Sequence, residues 1–74
     1  NDIDLNRAIN QIQKIPNVVS VKQTHYWAVT PQYFIFSSNI IITDFQYKSQ
    51  IEEAINSILS PYFHEILIDF DKEH

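Results

Sequence analysis

Few side chains in this sequence are able to do chemistry. There is no cysteine, which removes both a thiolate nucleophile and a Cys-x-x-Cys metal loop. There is no glycine, which removes the Gly-rich loop that cradles a phosphate. No serine stands beside a histidine in a recognisable nucleophile–base arrangement. These gaps predict that the chain is not an enzyme. Three histidines remain, His25, His64 and His74, together with carboxylates that include Asp69 and Asp71. Neutral imidazole and carboxylate oxygen are donor types that a divalent cation accepts. The same residues also have an ordinary reading. His25 then supports Trp27 from a strand, His64 is an exposed residue at a helix-to-strand junction, and Asp69 and Asp71 face solvent on an edge strand.

A second chemistry, base stacking, is suggested by Tyr26, Trp27, Tyr33, Phe34 and Phe36. The charge opposes it. With a net charge of −4 and only five Lys and Arg, nothing neutralises a phosphate backbone, and no nucleic-acid partner is expected. Docking on an anionic membrane surface is disfavoured for the same reason. Trp27 and Phe34 therefore read as packing or interface residues, and Trp27 should be buried in the fold or in a subunit contact.

The elements that must position these residues follow from periodicity. Leu5, Ala8, Ile9 and Ile12 recur at helical spacing within 1–14, with Asn1, Asp2 and Asp4 available as caps. Pro16 stops that helix, and Asn17 tolerates the left-handed conformation that a tight turn needs. Residues 18–29 and 33–45 are rich in β-branched and aromatic side chains and read as an antiparallel hairpin across Thr30-Pro31-Gln32. Ser49 followed by Glu52 matches a capping box. A stripe of Ile51, Ile55, Ile58, Leu59 and Tyr62 predicts the second helix behind it. Residues 64–71 alternate, with Ile66, Ile68 and Phe70 on one face and Leu67, Asp69 and Asp71 on the other.

The resulting order is α-β-β-α-β, an α+β open-faced two-layer sandwich. It is a ferredoxin-like pattern lacking its first strand, as in metallochaperones. Seventy-four residues make one domain. The uncovered sheet face of so small a fold calls for a partner, most simply a second subunit. The longest apolar region, 33–42, is interrupted by Ser37, Ser38 and Asn39 and falls short of the roughly 20 residues that span a bilayer. Beginning at Asn1 with no signal pattern, the sequence reads as a soluble piece of a larger protein.

The run Ile15-Pro16-Asn17-Val18, followed by Thr24-His25-Tyr26-Trp27-Ala28-Val29, resembles the cytosolic C-terminal domain of cation diffusion facilitators. There a helix leads to I-P-G-V and then to L-H-V-W-S-L. The aromatic between His25 and Trp27 is similar to the early-secretory-pathway zinc transporters of eukaryotes. The tail, Ser60-Pro61-Tyr62-Phe63-His64-Glu65-Ile66-Leu67-Ile68-Asp69-Phe70-Asp71, resembles the family's closing helix-to-strand segment, often written F-x-x-H-x-x-T-I-Q-x-E. Asn17 stands where the family usually has glycine.

The resemblance, which covers essentially the whole chain, implies a cytosolic dimerisation and regulatory domain of a zinc/proton antiporter. It implies zinc as the ion sensed and either an identical or a paralogous subunit as partner. The location would be the cytosolic face of the endoplasmic reticulum or Golgi. It maps metal ligands onto His25, His64 and Asp71, with Asp69 as a further carboxylate. The family's second-strand histidine falls near Ser38 or Asn39, where this chain has none. Without the resemblance, the residues also suit a small-ligand-binding regulatory α/β sandwich that dimerises through its sheet.

Overall fold

Asp4 opens the first helix: its side chain accepts the backbone N–H of Arg7 at 3.1 Å, which satisfies one of the amides that a helix start leaves unpaired. In the computed structural model, which describes residues 4–74, this helix is α1, Leu5–Gln13. Asn1 and Asp2, the other expected caps, lie outside the described residues. Ala8 and Ile12 are the buried positions of α1.

The helix ends before Pro16, and Asn17 takes the expected left-handed conformation at φ 74°. Asn17 is anchored there by Thr43, whose amide donates to the Asn17 carbonyl at 2.9 Å and whose hydroxyl donates to Oδ1 at 3.0 Å. Strands β1, Val18–Thr30, and β2, Tyr33–Ile42, then form the antiparallel hairpin.

The second helix does not begin with the expected capping box. Asp44 instead caps a 3-10 turn, Phe45–Tyr47, by accepting the Gln46 amide at 2.9 Å. That turn runs directly into α2, Lys48–Leu59, whose N-terminus has no side-chain cap. Once Asp44 had fixed the entry, Ser49 lay inside the helix. Ile51, Ile55 and Leu59 are buried as expected, but Tyr62 falls beyond the helix and is 47% exposed.

Strand β3, Glu65–Lys72, pairs parallel to β2 in unbroken register from Ile35↔Glu65 to Ile42↔Lys72. The sheet order is β1-β2-β3, so β2 is central. The expected α-β-β-α-β open-faced sandwich is the fold observed. Its core joins Ala8 and Ile12 of α1, Ile51, Ile55 and Leu59 of α2, Phe63, and Phe36, Ile40 and Ile42 of β2. Each large side chain fully removed from water contributes about 1.5–3 kcal/mol. The core therefore lies on one face of the sheet, and the opposite face carries no element among the described residues.

Candidate functional site

The faces are set by alternation along β2. Its even-numbered residues, Phe36, Ser38, Ile40 and Ile42, point at the helices and are buried. Its odd-numbered residues, Ile35, Ser37, Asn39 and Ile41, therefore line the open face. Directly paired residues share a face, which places His25 beside Ser37, Trp27 beside Ile35, and Lys22 beside Asn39. From β3, Leu67 joins Ser37, Asp69 joins Asn39, and Asp71 joins Ile41.

The open face thus has two halves. The half near the hairpin turn is apolar: Trp27 and Leu67 stand out at 43% and 46% exposure around Ile35, which is only 8% exposed. Trp27 is therefore not buried within the fold, as the sequence had suggested; the surviving form of that expectation is a contact with another subunit. The other half is polar. Here Asn39 Nδ2 donates to Asp71 Oδ2 at 2.7 Å and to the Asp69 carbonyl at 3.2 Å. A concavity of about 720 Å³ is lined by Gln23, His25, Ser37, Asn39, Leu67 and Asp69 and also by Ser38, Ile66, Ile68 and Glu52, which belong to the helix side of the sheet. Of the expected ligands, His25 and Asp69 line it; Glu52 is a second carboxylate in the lining, but the three do not gather as a metal-holding group.

His64 lies elsewhere. It exchanges backbone and side-chain bonds with Phe34: its amide donates to the Phe34 carbonyl at 2.9 Å, and its Nδ1 accepts the Phe34 amide at 3.1 Å. The ring stacks on Tyr33 with centroids 5.1 Å apart. A neutral imidazole that accepts at Nδ1 carries its proton on Nε2, so this contact commits His64 to a structural bond. Next to it, the Tyr33 hydroxyl donates to Glu65 Oε1 at 3.1 Å. That bond, with the Glu65 charge, raises the Tyr33 pKa above its ordinary value.

His64 precedes β3 and Asp71 is near its far end, so at about 3.3 Å per residue they are about 23 Å apart. One ion cannot touch both within a single protomer. Among the described residues no three His, Asp or Glu gather as a metal-holding group. The donor set therefore does not fit a zinc site built from one chain alone.

Sequence reasoning did not find the Asn39–Asp71 bond, nor the polar cluster on the other side of β2. Ser38 is buried at 5% exposure; its hydroxyl donates to the Lys22 carbonyl at 2.9 Å and lies 3.2 Å from the Thr24 hydroxyl. The signal was the break that Ser37-Ser38-Asn39 makes in an otherwise apolar strand.

No family model matches the chain, and no curated protein matches it in sequence. Solved structures do match in shape. The metal-bound C-terminal domain of the CzcD transporter from Cuprividus metallidurans superposes with a TM-score of 0.81 and 19% identity, covering 93% of this chain and 99% of that one. The chain has the fold of a transporter C-terminal domain. A MamM CTD variant shares this transporter-domain fold at a TM-score of 0.73 and 14% identity, covering 95% and 94%. A manganese form of the MamM CTD does so at 0.71 and 16%, covering 93% and 94%. At these identities the likeness establishes the fold alone.

Proposed function

We propose that residues 1–74 form the cytosolic C-terminal domain of a cation diffusion facilitator, a zinc/proton antiporter. In this reading the domain holds two transporter subunits together and regulates them. The observation that carries the proposal is the open sheet face, with Trp27 and Leu67 exposed around Ile35 on a fold shared over 93% of the chain with the CzcD domain. No described helix is long and apolar enough to cross a membrane, so the transport pathway would belong to a separate part of the protein. The partner is an identical or a paralogous subunit. The aromatic between His25 and Trp27 supports placing the parent in the endoplasmic reticulum or Golgi.

Zinc, in this proposal, sits between protomers. His25 and Asp69 of one chain offer two donors, and the partner would supply the rest of a tetrahedral set. His64 and Asp71, at opposite ends of β3, would reach a common ion only from different protomers, and His64 would ligate only by giving up the bond that its Nδ1 accepts from Phe34. An ion that binds one packing of the two domains better than another would bias their arrangement.

Sedimentation equilibrium tests the assembly: the domain should dimerise as its concentration rises. A strict monomer at every concentration, alone and mixed with paralogous domains, would sink the reading. Calorimetry tests the ligand. Zinc should give a binding signal, and amino acids and nucleotides should not; the reverse result would favour the small-ligand regulatory domain.

A further inference from the structure

Trp27 faces outward because β1 is irregular. The strand has 13 residues opposite the 10 of β2, and its register slips at three places, near Val19, between Lys22 and His25, and near Val29. Each slip places one extra residue on β1. The middle one matters most. Val21, opposite Ile40, packs against the core, and in a regular strand Trp27, six residues on, would share its face. Between them Gln23 adopts a positive φ of 51° and the strand bulges. Downstream of the bulge, alternation restarts in the opposite sense, so that His25 and Trp27 go to the open face.

Ser38 sits across from this bulge. It is the one buried polar side chain among the described residues, and its hydroxyl holds the strand on both sides of Gln23, at the Lys22 carbonyl and at the Thr24 hydroxyl. A non-glycine residue at positive φ is unfavourable by itself. Removing the bulge without shortening the chain would relieve that conformation and slip the strand by one residue, bringing Trp27 opposite Phe34 on the helix side. The buried Ser38 hydroxyl, with a partner on each side of Gln23, is placed where such a slip would break its contacts.

We propose that Ser38 is a positioning residue that pins the Gln23 bulge and thereby decides which face of the sheet receives His25 and Trp27. The importance of that face rests on the subunit-contact reading above; the pinning itself does not.

The test is a cycle of Ser38→Ala and deletion of Gln23, read by nuclear magnetic resonance. Deleting Gln23 removes the extra residue while leaving Trp27 opposite Ile35, so Ser38 has no bulge left to pin. Ser38→Ala in the native-length chain should replace Trp27–Ile35 cross-strand contacts with Trp27–Phe34 contacts, or give a second set of signals for residues 25–28. Ser38→Thr should restore the native pairing. In the Gln23-deleted chain Ser38→Ala should leave the pairing unchanged. A Ser38→Ala chain that unfolds at native length but folds with Gln23 deleted gives the same answer. Retention of the native pairing at native length, or unfolding in both backgrounds, overturns the proposal, because a side chain that merely fills space would behave alike in both. Sedimentation of the same variants separates the two readings. A slipped register with undiminished association rejects the open-face contact and keeps the pinning; lost association in the native register does the reverse.

Discussion

Asn39 reaches across from β2 to hold Asp71 on β3, amide nitrogen to carboxylate oxygen at 2.7 Å. The carboxylate that would face a cation is instead held by a neutral amide within its own sheet. The bond also ties the far end of the parallel pair together on its exposed face.

Replacing Asn39 therefore separates structure from metal binding. Asn39→Ala should lower stability by about 1 kcal/mol, the scale of one partly exposed hydrogen bond, as a denaturant titration would record. Asn39→His adds a nitrogen donor beside Asp69 and frees Asp71. Zinc should then bind more tightly by at least about tenfold in calorimetry. Unchanged affinity would show that the polar half of the open face does not receive the ion.

Trp27→Ala should cost the monomer less than the about 3–5 kcal/mol of a fully buried ring, since the residue is 43% exposed. Dimerisation should weaken by about 2 kcal/mol or more, as for an aromatic anchor at an interface. Melting measured under monomeric conditions and sedimentation equilibrium check the two halves. A large loss of monomer stability with no change in association would assign Trp27 to the fold alone.

Phe36→Ala removes a fully buried ring that packs on Phe63 with centroids 5.2 Å apart. The cost should be about 3–5 kcal/mol, a large share of what a domain this small has in reserve. Circular dichroism should show the variant partly or wholly unfolded at room temperature.

Asp44 sets an acid limb. The Gln46 amide it accepts, and then the Lys72 ammonium 3.5 Å away, hold its pKa below the ordinary carboxylate value. A carboxyl that is more acidic folded than unfolded stabilises the fold above about pH 4, and that contribution is lost as pH falls through the folded value. Asp44→Asn should flatten the fall in stability below about pH 4, measured by denaturant titration at several pH values. An identical acid limb in the variant would remove Asp44 from that role.

Zinc binding should weaken between about pH 7.5 and about pH 5.5, because a ligating imidazole must be neutral. His25→Ala should reduce the calorimetric signal. A signal that survives His25→Ala and Asp69→Asn would belong to other groups, such as His74.

Much of this architecture was legible because local and global preferences agree. The residues of β3 alternate cleanly, and its two faces were assigned correctly from Ile66, Ile68 and Phe70 against Leu67, Asp69 and Asp71. Asn17 was legible because few side chains tolerate its backbone angles. Three features were not. Asp44 competed with Ser49 for the start of α2 and won by capping a 3-10 turn that periodicity does not reveal. The bulge at Gln23 inverted the alternation that would have buried Trp27, and no glycine marked it. The distance between His64 and Asp71 depends on the length of β3, so a ligand set compiled from matching positions did not disclose that its members are far apart.

The placement of β2 between an earlier strand and a later one also bears on synthesis. The hairpin partner of β2 is made before it, but its parallel partner follows an intervening helix. On the ribosome, a nascent chain can close the antiparallel side while one edge of β2, with Phe36 and Ile40 along it, still lacks its neighbour. Until residues 65–72 clear the exit tunnel, that edge is a template for wrong pairing. A stall or truncation just before β3 would therefore yield an aggregation-prone intermediate, and the cell would need to shield it for the time that the last strand takes to arrive.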